Sequence, residues 1–580
     1  MTDSGTGRIS RVAGPLVEAD GIGEPAMFDL VELGSAALPG EIVAIRQDSV
    51  RIQAYEYTGG LAPGQPAVAL GRPLSARLGP GLLGGVFDGL LRPLSGPAVR
   101  LVPGAAFRAD ATVRWSFTPV VAAGREVGPG ALLGTVPGSG PVQYRILVPP
   151  GVGGPVEKIV GEGRYPADQV VATVGGVDVA LTTAWPVRRP RPARSRMDGV
   201  EPLGTGQRVL DLLYPVARGG TAAVPGGFGT GKTVLLQQLA KWCDADVIVY
   251  VGCGERGNEL ADISAELLEL TDPRTGGRLL DRIVIIANTS NMPMMAREAS
   301  IYSGMTVAEY FRDMGYHVVL IADSTSRWAE ALREFASRTG ALPAEEGYPA
   351  DLASALAAFY ERAGAVVTLG GERGSVTVVG AVSPAGGDLA EPVTALTERF
   401  VRCKWTLDRD LAYARHYPAV SWSGSFSRDA TAVGAHHAGH GDPGWPGRRA
   451  RVLGLLGDAD RLGELADLVG VGALPDHERI VVLAGRLLRD SVLQQSALSA
   501  NDAYCDPAKT AALVDAVLSV VDRCLELVAA GLAATAIEEC DFGPLVRARE
   551  ETGPRDAAGV GEHRDQMLAQ LGELSEVRHE

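Results

Sequence analysis

Only five of the 54 basic residues in this chain are lysines, and one of the five, Lys232, closes the run Gly226-Gly227-Phe228-Gly229-Thr230-Gly231-Lys232-Thr233. The run matches G-x-x-x-x-G-K-[ST] in full. Such a loop leads from a strand into a helix, and its backbone N–H groups cradle the phosphates of a nucleotide. Arginine carries nearly every other positive charge here. A phosphate cradle takes lysine because a compact ammonium on a flexible stem reaches the β- and γ-phosphates as a point charge. The competing reading is a glycine-rich surface turn that ends in Lys-Thr. It asks nothing of the flanking sequence, whereas a P-loop asks for a parallel α/β sheet.

The flanks supply one. From Gly219 the pattern alternates between short apolar, β-branched runs and helical spacing. Strands are expected at 221–224, 247–251, 282–287 and 317–322, and helices at 232–242, 258–270 and 295–314. Alternation of this kind makes a parallel sheet with right-handed crossovers, and ligands bind at the C-terminal ends of its strands.

On either side the character changes. Residues 1–70 read as short alternating strands, as in Val50, Ile52 and Ala54 against Arg51 and Gln53, which suggests a small barrel or sandwich. Residues 110–185 are again β-rich. Within them, 119–130 resembles the compact hairpin of biotinyl and lipoyl modules, but no lysine stands at its tip and Lys158 lies elsewhere, so a structural insertion is the reading. The stretch 187–196 holds five arginines and two prolines. It reads either as a nucleic-acid or lipid contact or as an extended connection whose arginines pair with acidic neighbours, and the second is preferred. From about Arg448 leucines and valines recur at helical spacing, and the C-terminal third reads as a helical domain. The preceding 431–447 is rich in glycine and histidine. Its His436, His437 and His440 suit a metal ion, but a mobile glycine-rich loop is the expectation. The expected partition is 1–70, 71–109, 110–187, 188–430 and 431–580.

Composition narrows the function classes. A formal charge of −15 argues against non-specific nucleic-acid binding. Six scattered cysteines without a C-x-x-C pair suit a reduced, cytosolic protein. The first residues carry no basic-then-apolar signal. The longest apolar stretch, 510–535, includes Asp515, Asp522, Arg523 and Glu526, so an amphipathic helix is expected there and any membrane role is assigned to partners.

Phosphate chemistry needs more than the cradle. The Thr233 hydroxyl is expected to ligate magnesium. Asp323, at the end of the apolar run 318–322, is expected to complete the metal site, although an aspartate there, or Ser324 or Ser326, also suits a helix N-cap. Glu255 and Arg256 leave the second core strand beside the loop. Glu255 is placed to orient or deprotonate an attacking water, and Arg256 to touch the γ-phosphate or to hold Glu255. The alternative is a solvated ion pair.

The motifs occur in a telling order: G-G-F-G-T-G-K-T, Y-V-G-C-G-E-R-G-N-E, A-N-T-S-N-M-P, A-R-E-A-S-I-Y-S-G-M-T-V-A-E-Y-F-R-D-M-G and I-A-D-S-T-S-R-W-A-E-A-L-R-E. E-E-G-Y-P-A-D-L-A, A-F-Y-E-R-A-G, E-P-V-T and L-A-Y-A-R-H-Y-P-A-V follow. Together they resemble the catalytic A subunit (alpha chain) of V/A-type rotary ATPases of bacterial type, over essentially the whole chain. The resemblance implies a multidomain α/β protein: an N-terminal β-barrel, a RecA-like P-loop core with an inserted β-rich domain, and a C-terminal helical domain. It implies ATP or ADP with Mg²⁺ bound by Gly226, Gly227, Phe228, Gly229, Thr230, Gly231, Lys232 and Thr233. It makes Glu255 the general base, Lys232 and Arg256 the phosphate contacts, Thr233 the metal ligand and Asp323 the carboxylate that steadies the metal's surroundings. Tyr417 and Phe228 are candidates for the adenine, with plain core packing as the alternative for each.

As partners the resemblance implies three B-type subunits in an alternating hexamer, a central rotor stalk, a peripheral stalk and a membrane ion-translocating sector. An arginine finger arrives from the B subunit, and the assembly stands on the inner face of the cell membrane. It does not choose between ATP synthesis and hydrolysis, or between proton and sodium transport. Three departures stand out. Thr230 stands where many eukaryotic relatives carry a cysteine, Ala385 replaces one proline of S-P-P-G-G, and 431–447 lacks the usual aromatic and acidic stretch. Two other readings remain: a non-catalytic nucleotide-binding ring subunit, and a RecA-like secretion or RNA-translocating ATPase.

Overall fold

A computed structural model describes residues 6–94, 113–257, 267, 269–340 and 342–576. Most of the helix expected at 258–270 lies outside these residues. The chain opens with a closed six-stranded barrel, joined where Thr6 pairs with Val68. Alternation fills it: Ile9, Val17, Val31, Ile42 and Ile52 point inward and are buried. Gln53 breaks the expected pattern of exposed polar residues, because it too is buried.

The following chain enters the central sheet and leaves it again. Val86–Phe87 forms the edge strand beside Ile283–Thr289. The insertion then makes two four-stranded sheets in which every pairing is antiparallel. The outgoing Ser75–Leu78 and the returning Thr183–Pro186 pair with one another, which closes the insertion at its base. The 119–130 hairpin is not a free arm. Gly130 approaches so closely that an added Cβ would lie 2.4 Å from the Gly370 nitrogen of the core. The arginine-rich connection pairs with acids as expected: Arg188 with Glu298 at 2.7 Å and Arg191 with Asp313 at 2.7 Å.

The central sheet has ten strands. Its middle runs Thr221–Pro225, Arg373–Val382, His317–Asp323, Val247–Glu255 and Ile283–Thr289, all parallel. These strands are buried along nearly their whole length, as a sheet covered on both faces requires. The helix Met294–Asp313 covers one face and is itself almost wholly buried.

The C-terminal region is helical, but it begins earlier than expected. Residues 431–447 are not a loop: a helix spans Ala430–Gly439 and the next starts at Trp445. The glycines misled because one of them serves packing. A Cβ on Gly434 would come within 3.1 Å of the Trp445 ring, on which His437 stacks at 5.2 Å. His436 and His440, one turn apart, stack at 4.0 Å. Among the described residues no three His, Cys, Asp or Glu side chains gather in a metal-holding group. The amphipathic segment forms Pro507–Ala529 and, after a turn, Ala534–Glu538. No described helix is long and apolar enough to cross a membrane.

Candidate functional site

The candidate residues leave the C-terminal ends of parallel strands: Glu255 and Asp323 from two neighbours, and the glycine loop from a third, with Arg373–Val382 between it and the Asp323 strand. Thr221–Pro225 runs into the glycine-rich loop. Gly229 and Gly231 take φ of 80° and 83°, which a side chain would strain, so the loop can turn back tightly on itself. The buried Thr230 hydroxyl donates to the Gly227 carbonyl at 2.9 Å and fixes the turn from within. Lys232 and the exposed Thr233 open the helix Lys232–Trp242, so the loop amides and the positive helix end face one point.

The Lys232 ammonium donates to the carbonyls of Gly226 at 3.0 Å and Val382 at 2.9 Å, and to the Ser383 hydroxyl. Burial pushes its pKa down to about 8, while the carboxylates of Asp323 and Glu255 pull it back up. Both acids therefore act on the lysine from the neighbouring strand ends.

Asp323 ends His317–Asp323 and is 4 % exposed. The Tyr250 hydroxyl donates to its Oδ2 at 3.0 Å. The capping alternative does not describe it. Ser324 takes the N-cap position of Thr325–Thr339, without a side-chain cap bond, and Ser326 instead accepts from the Ser383 N–H at 2.8 Å.

Glu255 owes its direction to one glycine. The register between Val247–Glu255 and Ile283–Thr289 slips between Cys253 and Glu255. Gly254, at φ of 73°, is the extra residue, and a bulge of this kind re-aims the side chain that follows. A Cβ on Gly254 would lie 2.8 Å from the Arg327 Cβ. Arg256 follows on the exposed surface. Neither aromatic candidate belongs to the core: Phe228 is 98 % exposed at the loop tip and Tyr417 is 41 % exposed. The Tyr417 ring reaches within 3.1 Å of where a Gly231 Cβ would stand, and its carbonyl accepts from the Gln495 N–H of the helical domain at 2.8 Å.

The structure thus gathers Lys232, Asp323 and Glu255 electrostatically and sets Tyr417 over the loop, while Arg256 stands at the rim. Sequence reasoning missed Tyr250 and Ser383, and gave Ser326 only as a helix cap. Tyr250 left a faint signal, as the one aromatic inside an otherwise aliphatic buried strand.

A glycine loop closed by lysine at the C-terminal edge of a parallel sheet, with acids on two further strand ends, defines a P-loop nucleotide-binding core. Comparisons with known proteins narrow the class. Residues 206–427 match the nucleotide-binding domain of the ATP synthase alpha/beta family, 9–71 its β-barrel domain and 107–188 its barrel-sandwich domain. Residues 435–536 match the C-terminal domain of V and A type ATP synthase. The chain is 51 % identical to the V-type ATP synthase alpha chain of Anaeromyxobacter dehalogenans, over 93 % of this chain and 94 % of that one. It is 46 % identical to the A-type ATP synthase A subunit of Methanopyrus kandleri, over 99 % and 100 %. The chain therefore belongs to the family of V-type and A-type ATP synthase alpha (A) chains. The type III secretion ATPase EscN of enteropathogenic E. coli shares the fold, with a TM-score of 0.62 over 89 % of this chain and all of that one, at 22 % identity.

Proposed function

We propose that this chain is the catalytic subunit of a V/A-type rotary ATP synthase. It binds ATP or ADP at the P-loop and makes or breaks the bond to the terminal phosphate, coupled to proton or sodium transport by a partner sector. The observation that carries this is the glycine-loop lysine held by Val382 and Ser383 at the next strand end, with Asp323 and Glu255 on the two neighbouring strand ends beyond, whose charges act on it. A non-catalytic ring subunit has no need of that grouping. The likeness to the secretion ATPase speaks for the fold alone, whereas the relatives named V-type and A-type ATP synthase alpha (A) chains match over nearly the whole chain.

In this reading the loop amides of 226–231 and the helix end hold the phosphates, and Lys232 trades its carbonyl partners for phosphate oxygens. Glu255 takes the proton of the attacking water, or returns it in synthesis. Arg256 meets the terminal phosphate from the rim, and Tyr417 and Phe228 face the adenine. The Thr233 hydroxyl would hold Mg²⁺ and the Asp323 carboxylate would steady it from behind, since hard oxygen donors suit that ion. When bound, that ion neutralises phosphate charge. Tyr250 holds Asp323 in place.

The assembly proposed is an alternating hexamer with three B-type subunits around a central rotor stalk, braced by a peripheral stalk. It stands on the cytoplasmic face of the membrane through its ion-translocating sector, and a B subunit supplies an arginine finger. Residues 1–70, 71–109, 110–187, 188–430 and 431–580 are taken as barrel, first core segment, insertion, main core and helical domain.

The test is Glu255→Gln in the chain co-expressed with its rotor stalk and B partner. Nucleotide binding is expected to persist while Mg-ATP turnover falls about 100-fold or more, roughly 3 kcal/mol of barrier. Unchanged turnover would place the chemistry in the partner.

A further inference from the structure

Where the insertion meets the nucleotide core, a cavity of about 90 Å³ is lined by Arg145, Arg191, Tyr310 and Asp313, with Gly130 and Gly370 in its wall. That is room for more than one water. Gly130 and Gly370 touch through their backbones, so no side chain from that wall fills the space.

Arg191 is the unusual member. It is 8 % exposed. Its backbone N–H donates to Glu309 at 3.0 Å and its Nε to Asp313 at 2.7 Å. Its guanidinium lies over the Trp185 ring at 4.8 Å and the Tyr310 ring at 5.9 Å. Its Nη1 is buried and has no hydrogen-bond partner among the described residues.

Charge around it does not balance locally. Glu309 accepts from Arg362, and Asp313 from Arg312 and Arg191. Three buried arginines thus face one buried carboxylate, Glu309, and one partly buried, Asp313. Arg145, half-buried on the insertion's Gln143–Leu147, adds a fourth cation at the edge, its Nη1 held by the Met314 carbonyl at 2.6 Å. Asp178 also lines the cavity, but it is exposed, and solvent screens its charge from the buried guanidinium. A surplus buried cation is costly unless a counter-charge joins it. Water would satisfy the Nη1 hydrogen bond but not the charge. An oxyanion does both, because a guanidinium N–H and a carboxylate or phosphate oxygen form the strong, charge-assisted kind of hydrogen bond.

We propose that this cavity binds a small oxyanion, inorganic phosphate or a small carboxylate, between Arg191 of the connection and Arg145 of the insertion. Bound there, the ion fastens the insertion to the nucleotide core. The site is separate from the P-loop and does not depend on the catalytic reading.

The test titrates phosphate and, separately, acetate into the full chain at constant ionic strength, by calorimetry and by Tm. Lys232→Ala is the background, so that anion binding at the P-loop is weakened, and Arg145→Gln then separates the two sites. Saturable binding with a raised Tm is expected. Arg145→Gln in that background is expected to weaken it about tenfold or more, the loss of one charged hydrogen bond. Arg191→Lys is the second variant. Arg145 is half-exposed, so its removal leaves the folded chain readable by circular dichroism. A response to phosphate alone or to acetate alone names the source, and either supports the site. No saturable binding in the Lys232→Ala chain, or binding that Arg145→Gln leaves unchanged, would overturn it.

Discussion

Two of the five lysines are caged alike and used differently. Lys232 donates to two carbonyls and a hydroxyl at the P-loop. Lys509, in the helical domain, donates to the carbonyls of Asn501 at 3.0 Å, Arg549 at 2.8 Å and Thr552 at 2.9 Å. Burial pushes both ammonium groups below the usual lysine range. The difference lies in what surrounds the cage. Lys509 is wholly buried beside Arg208 and Asp502, which are themselves joined at 2.6 Å with no exposure. Its three carbonyls have nowhere else to turn. Lys232 sits under a loop whose tip is open to solvent and beside two acids from other strands. A caged lysine is therefore not by itself a phosphate site; the open glycine loop makes it one.

The largest effect should come from removing each lysine in turn. Lys509→Met leaves three buried carbonyls without their donor and is expected to cost about 3 kcal/mol of stability, seen as a lowered Tm, with nucleotide affinity little changed in the surviving fold. Lys232→Ala is expected to do the reverse, weakening Mg-ATP binding about 100-fold while Tm moves little, because a burial cost is relieved as bonds are lost. Equal losses of stability would break the distinction.

A smaller effect sharpens it. If Tyr417 faces the adenine, Tyr417→Ala should weaken ATP about tenfold, the worth of one stacked base, while Tyr417→Phe keeps the affinity. The same pair should leave binding of inorganic triphosphate, which has no base, unchanged. Loss of triphosphate binding would show instead that the ring only shapes the loop at Gly231.

The P-loop region was the most legible part of the chain. The expected helix at 232–242 forms as Lys232–Trp242, and the strand expected before Asp323 ends on it. Local pattern sufficed there, because buried parallel strands are continuously apolar and the loop has a fixed grammar of glycines. What sequence did not reveal depends on contacts distant in the chain. Nothing near Tyr250 points to Asp323, 73 residues away. The aim of Glu255 follows from a register slip that only the partner strand exposes. Gly434 read as flexibility until the Trp445 ring was seen against it. Nothing in the sequence marks Lys509, because its acceptors, the carbonyls of Asn501, Arg549 and Thr552, come from other turns of chain.

The smallest effect is a proton. With its pKa down to about 8 and its ordinary value at 10.5, Lys232 is partly neutral in the free protein above pH 8. Phosphate oxygens next to the ammonium favour its charged form, so the bound state holds the proton to higher pH. The sign follows by linkage: ATP binding takes up protons between about pH 8 and 10 and takes up none through this group below about pH 7, where both states are charged. Calorimetric titrations at pH 8.5 in buffers of different ionisation enthalpy would read the uptake as a slope. Lys509 offers the internal control, because no nucleotide reaches its closed cage and its proton does not respond. A zero slope at pH 8.5 would mean that the free lysine is already fully charged, and that the two cages differ less than their surroundings indicate.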